Sequence, residues 1–153
     1  MMTGDFSGAR RVPLVGRHSY LEETRQRQRR GGTHLLYFEG EGGIGKTALL
    51  ETLLARSRRE GEDRVPYTGC VADAVIDLYH VDVHTPEGLI RRIVQVLGTA
   101  AFGKTQQILS NLDWARSVGN ADLVSERAAA LHATFLEELA RLAERGVVLA
   151  FDT

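Results

Sequence analysis

A single cysteine, Cys70, stands among the 153 residues, which excludes an internal disulfide and sets the expectation of a reducing, cytoplasmic environment. Its sequence neighbours give no activating context for a thiol, so it reads as a small core-filling side chain. No run of roughly 18 apolar residues occurs, and no membrane-spanning helix is expected. The first residues, Met1-Met2-Thr3-Gly4-Asp5-Phe6-Ser7-Gly8, lack the basic-then-apolar layout of a secretory signal; residues 1–11 read as a flexible tail. An excess of either charge is also missing. With 19 Lys and Arg against 20 Asp and Glu, the net charge is -1, so no bulk field draws in nucleic acid or an anionic membrane. Internal repeats and low-complexity segments are absent as well.

What is present is an ordinary globular balance, 43% hydrophobic and 25% charged, in a length that suits one domain with a sizeable core. Ser19 and Glu22 make a capping box for a helix running to Arg30, stopped by Gly31-Gly32. His34-Leu35-Leu36-Tyr37-Phe38-Glu39 has the composition of a buried parallel strand. A glycine-rich loop follows, and then Ala48, Leu49, Leu50, Leu53 and Leu54 form a helical stripe that runs to about Arg59.

A polar turn at Gly61-Glu62-Asp63 leads to two segments that each have room for a strand, Arg64 to Val71 and Val75 to Val83. Thr85-Pro86 is an N-cap followed by proline at the first helical position, opening a helix that ends at Gly98. Residues 99–120 read as a loop with a short helix around 106–112. A long amphipathic helix then spans about 122–144, Gly146 stops it, and Val147-Val148-Leu149-Ala150-Phe151 is a second strand of buried type. Strands alternating with helices predict an α/β fold, a mainly parallel sheet with helices on both faces.

The chemistry-bearing segment is Gly40-Glu41-Gly42-Gly43-Ile44-Gly45-Lys46-Thr47, which matches the phosphate-binding pattern G-x-x-x-x-G-K-[ST] at all its fixed positions. It also lies where that motif must lie, between a predicted strand and a predicted helix. Gly40, Gly42, Gly43 and Gly45 let the backbone pass close to a phosphate chain. The loop amides and the positive end of the next helix then form an anion nest. Lys46 suits the β and γ phosphates, and Thr47 offers a hydroxyl to Mg²⁺. The bland alternative is a glycine-rich turn with an incidental lysine. Asp152 ends the last apolar strand in the form of a Walker B element, a buried strand that delivers one carboxylate to magnesium. Read alone, that pattern also fits any strand-end aspartate.

Val15-Gly16-Arg17, with Leu21 four residues on, precedes the loop. Together with Gly40–Thr47 and Ala48-Leu49-Leu50, this order resembles the AAA-type P-loop ATPases of the STAND group, the signal-transduction NTPases with numerous domains, and their origin-recognition-like relatives. The resemblance implies a P-loop NTPase domain over residues 12–153, of three-layer α/β/α type. It implies that Val15, Gly16 and Arg17 line the adenine side and that Gly40 to Ala48 hold the phosphates of ATP. Lys46 and Asp152 would then be catalytic, and Thr47 and Asp152 would serve Mg²⁺. His18 replaces the usual acidic residue after the arginine.

The family's water-activating carboxylate follows the Walker B aspartate, whereas here Thr153 is the last residue. In the family a later strand separates the P-loop and Walker B strands. The expectation is therefore a domain incomplete at its C-terminus, part of a longer parent chain with other protein modules, that binds ATP weakly and hydrolyses it negligibly.

Other readings remain at this point. A metabolic P-loop phosphotransferase would need a basic lid, and no arginine-rich lid follows the loop. A GTPase would need an Asn-Lys-x-Asp segment, which is missing. An inactive truncated product retaining the loop as a fold element is a third reading. His80, Asp82 and His84 would share one face of a strand and so suit zinc, or else form an exposed polar edge. Arg25, Arg27, Arg29 and Arg30 make a basic cluster, either a nucleic-acid patch or a solvated helix end. Trp114 and the apolar stripe of 131–142 are core or a partner-facing surface.

Overall fold

The computed structural model describes residues 18–30, 34–41, 43–58 and 69–153. They belong to two compact units, Met1–Leu36 and Tyr37–Thr153. In the first unit, helix α1 spans His18–Arg30. It starts one residue before the expected cap, so Ser19 lies inside its first turn and Glu22 pairs with Arg25 at 3.7 Å. Glu23 likewise accepts from Arg27, at 2.6 Å, so at least two arginines of the basic cluster are engaged along their own helix. The expected stop at Gly31-Gly32, the turn at Gly61-Glu62-Asp63 and residues 64–68 of the first candidate strand lie outside the described residues.

The second unit pairs short strands in parallel between helices, consistent with an α/β fold, but among the described residues there are two two-stranded ladders instead of one sheet covered by helices on both faces. Strand β1 (Cys70–Val71) pairs with β3 (Val147–Val148), and β2 (Ile76–Asp77) pairs with β4 (Phe151–Asp152). The two short ladders belong to the same two segments. Between them the first segment carries residues 72–75 while its partner carries only 149 and 150, a two-residue excess. The excess bends out at Asp73-Ala74. Two amides at its start are held, since Ala72 N donates to Val148 O at 2.9 Å and Asp73 N donates to Val96 O at 2.8 Å.

Helix α2 (Lys46–Arg58) buries Leu49, Leu53 and Leu54 and packs against β1 and β4. Helix α3 (Pro86–Leu97) begins as its sequence dictates: Thr85 is in extended conformation and its Oγ accepts from Gly88 N at 3.0 Å, with Pro86 in the first turn. Gly98, at φ 94°, ends it. Five of its apolar residues are buried: Ile90, Ile93, Val94, Val96 and Leu97.

Two expectations are corrected and one is narrowed. The segment His34–Glu39 forms no strand; no strand among the described residues pairs with it, and Leu35 and Tyr37 are 91% and 80% exposed instead of buried. An apolar run becomes a strand only when a ladder takes up its backbone groups. Second, the strand within Val75–Val83 is narrowed to Ile76–Asp77, because the Asp77 carboxylate accepts from Tyr79 N at 2.8 Å and turns the chain. Val81–Val83 is a single 3-10 turn capped by His80. His80 and Asp82 are therefore turn residues, and His84 bonds the Leu78 carbonyl at 3.1 Å. No metal-holding group of three such residues occurs among the described residues.

Third, most of the supposed loop at 99–120 is helical: a 3-10 turn at Thr99–Ala101 and then α4, Gly103–Ser117. Thr105, Leu109, Leu112 and Ala115 form its buried face. After Gly119, at φ 68°, Asn120 caps α5 (Ala121–Ala143) by accepting from Leu123 N at 3.0 Å. Helices α4 and α5 form a hairpin in which Phe102 stacks on Phe135 at 5.8 Å between ring centroids.

The start of α4 has no cap of its own, since Phe102 occupies that position. Glu138 of α5 supplies one. Its carboxylate accepts from Lys104 N and Thr105 N, both at 3.0 Å, and from Thr105 Oγ at 2.7 Å. In the stripe of 131–142, Leu131 and Phe135 are core and Leu139 and Leu142 pack at its margin. Trp114 is 59% exposed. Cys70 is part-buried, with its thiol 3.4 Å from the Leu97 carbonyl, and burial pushes its pKa up.

Candidate functional site

The site is the junction of the loop after Tyr37–Glu39, the first turn of α2 and the end of β4. Gly40 and Glu41 lead in, and the Ile44 amide turns back to the Glu41 carbonyl at 3.4 Å. Gly43 and Gly45 carry φ values of 77° and 85°, conformations that a side chain would strain. Ile44 between them is exposed. Lys46 opens the helix, and its Nζ donates to the carbonyls of Gly40 at 2.7 Å and Glu41 at 3.1 Å. The lysine thus closes the loop on itself and holds its ammonium over the loop's own backbone. Thr47 and Ala48 complete the first turn, where helical amides face outward and favour an anion.

Thr47 and Asp152 meet although 105 residues separate them in sequence: the Thr47 Oγ donates to an Asp152 carboxylate oxygen. Both side chains are accessible. Strand β4, at the end of the apolar run, carries the carboxylate to the helix start. A hydroxyl beside a carboxylate is an all-oxygen donor pair suited to a hydrated divalent cation. The residues present therefore fit magnesium and a polyphosphate: a compact ammonium, glycine-enabled backbone and two oxygen donors.

Of the residues singled out in the sequence, Gly40, Glu41, Gly43, Ile44, Gly45, Lys46, Thr47, Ala48 and Asp152 belong to this junction. Val15, Gly16, Arg17 and Gly42 lie outside the described residues. Sequence reasoning missed the neighbouring wall. Thr47 and Asp152 open into a cleft of about 540 Å³ whose other charged lining residues are Glu51, Arg58, Asp73 and Asp77. A signal for Asp77 exists in the sequence, since Val75-Ile76-Asp77 repeats the apolar-apolar-aspartate form of Ala150-Phe151-Asp152.

The glycine loop closed by its lysine, and the hydroxyl–carboxylate pair beside it, define a nucleotide-binding domain of P-loop type. The family model of the AAA ATPase domain matches residues 13–153, and the chain belongs to that family. No curated protein and no solved structure gives a significant match. Among the described residues no helix is long and apolar enough to cross a membrane.

Proposed function

We propose that this chain is the ATP-binding domain of a regulatory ATPase of the STAND or origin-recognition-like group, in which ATP or ADP in the site switches attached protein modules of a longer chain. The single observation that supports it best is the hydrogen bond from Thr47 to Asp152, which joins the two halves of a nucleotide site from opposite ends of the domain. The Val15-Gly16-Arg17 order ahead of the loop favours the subgroup and puts those residues on the adenine side. The domain is taken as residues 12–153 of a three-layer α/β/α fold. One cysteine and a balanced charge suit a cytoplasmic setting without nucleic-acid binding of its own.

In this reading Gly40 to Gly45 wrap the phosphates, with Gly42 among them. Lys46 neutralises the β and γ oxygens, and Ala48 continues the amide-lined first turn. Thr47 and Asp152 would hold Mg²⁺. Bound there, the cation would offset the charge of the phosphates and strengthen their grip on the loop. Without the cation, Thr47 and Asp152 hold each other, which keeps the two groups close. The activity proposed is binding and exchange of nucleotide.

The test is thermal melting of the 153-residue chain with and without MgATP. A ligand at a hundred times its Kd adds about 2.7 kcal/mol and raises Tm by roughly 5–10 °C for a domain of this size. Lys46→Ala is expected to abolish the shift. No shift in the wild type, or an equal shift in Lys46→Ala, overturns the reading.

A further inference from the structure

The cleft beside Thr47 is acidic. Of its charged lining residues, Glu51, Asp73, Asp77 and Asp152 are carboxylates and only Arg58 is a cation. Arg58 directs its Nε back to the Leu54 carbonyl of its own helix at 3.3 Å. A polyphosphate approaching such a wall meets repulsion unless a cation comes with it.

Two of the carboxylates stand in a particular relation. Asp77 and Asp152 are partners in the parallel ladder of β2 and β4, and the ladder continues past them through Leu78 N donating to Asp152 O at 2.9 Å. Partners in register project to the same face of a sheet. Both line the cleft that Thr47 opens into. Asp152 is turned toward Thr47, while Asp77 commits one oxygen to Tyr79 N at 2.8 Å. That bond fixes the side chain at the strand end and leaves its second oxygen without a hydrogen-bond or ion-pair partner among the described residues. Both carboxylates face a cleft whose lining holds one cation, Arg58, and a divalent cation would bring the opposite charge that this wall otherwise lacks. No three acidic, histidine or cysteine groups among the described residues converge on a metal by themselves.

We propose that Asp77 is a second acidic positioning residue of the nucleotide site, acting with Asp152 on the hydration shell of the cation that accompanies ATP. This rests on the nucleotide reading above. It makes the strand beside the Walker B strand part of the metal side of the site. It also divides the labour there: Asp152 answers to Thr47, and Asp77 holds the outer waters.

The experiment measures the affinity of a fluorescent ATP analogue for the 153-residue chain by anisotropy, once with Mg²⁺ and once with EDTA. Asp77→Asn keeps the oxygen that accepts from Tyr79 N, so the turn survives and only the charge goes. The expected result is an affinity in EDTA equal to or above that of the wild type, since a repelling charge is gone. The gain on adding Mg²⁺ is expected to fall by about fivefold, the scale of one charge interaction at a solvated site. Titration with Mn²⁺, read by its paramagnetic resonance signal, is expected to show ATP-dependent Mn²⁺ binding that weakens by a similar factor in Asp77→Asn. An unchanged magnesium gain overturns the proposal. Equal weakening in EDTA and in Mg²⁺ overturns it too, because that marks a structural role. Failure of the nucleotide reading looks different: wild type and Lys46→Ala then bind the analogue equally, or not at all.

Discussion

Replacing Glu138 should cost more than any other single polar substitution in the α4–α5 hairpin, because one carboxylate on α5 serves as the N-cap of α4. Only 8% of the residue is exposed. It accepts bonds from two backbone amides and one buried hydroxyl, all belonging to Lys104 and Thr105. Glu138→Ala removes the acceptor for all three and leaves the donors of the first turn without a partner. Loss of a cap costs about 1–2 kcal/mol, and bonds to a charged acceptor about 1.5–3 kcal/mol each before relaxation. Allowing for water reaching the exposed side, a total of about 3–4 kcal/mol is expected, or a fall in Tm of roughly 10 °C. Glu138→Gln keeps one acceptor oxygen and should cost about half as much.

The sign of the pH dependence follows from the same contacts. Burial pushes the Glu138 pKa up. The Thr105 hydroxyl, the Thr105 and Lys104 amides and the Lys104 charge outweigh it and hold the carboxyl below its ordinary value. A carboxyl depressed on folding stabilises fully above its unfolded pKa of about 4.3, and that contribution is lost as the pH falls through the lower folded value. Urea unfolding of wild type and Glu138→Gln at pH 7 and at steps below pH 5 checks this. The gap between the two proteins should be constant near neutrality and close on acidification. A Glu138→Ala variant within about 0.5 kcal/mol of wild type at pH 7, with an unchanged m-value, would refute the reasoning.

Gly88→Ala is expected to destabilise by about 3 kcal/mol or more despite its gain in helix propensity. An added Cβ would lie 1.6 Å from the Asp82 carbonyl oxygen and 3.0 Å from the Thr85 hydroxyl that caps α3. A circular-dichroism melt at or above the wild-type Tm would contradict this. The two large aromatics near α4 should separate sharply by the same measurement. Phe102 is fully buried against Phe135, and Phe102→Ala should cost about 3–5 kcal/mol. Trp114→Ala, at an exposed position, should stay within about 1 kcal/mol of wild type. Similar losses for both would mean that Trp114 is covered in solution.

Features with local causes were legible in the sequence. Thr85, Pro86 and Gly98 specify both ends of α3, and the glycines with Lys46 and Thr47 specify the loop, because each acts on residues within one turn of itself. Strand pairing at Val147–Val148 and Phe151–Asp152 was legible from the apolar run between Gly146 and a terminal aspartate, though the run is interrupted at 149–150 and Phe151 is exposed. What escaped depends on distant partners. The start of α4 has no capping residue of its own, and its cap lies more than thirty positions onward in Glu138, so the segment looked like a loop. His34–Glu39 has strand composition, but composition does not provide the neighbour that a strand requires. Asp77 was hidden for the same reason: only the ladder reveals that it stands beside Asp152. The alternation of His80, Asp82 and His84 suggested a strand face, yet one side-chain bond from Asp77 ends the strand first.

The bend at residues 72–75 separates two ladders. Below it Cys70 and Val71 are held by Val147 and Val148, and above it Ile76 and Asp77 are held by Phe151 and Asp152. Because the excursion interrupts the pleat, the facing of Ile76 into the core and of Asp77 into the cleft is set by the upper ladder alone and not by the way Cys70 and Val71 are held below. The bend thus uncouples the floor of the domain from its rim.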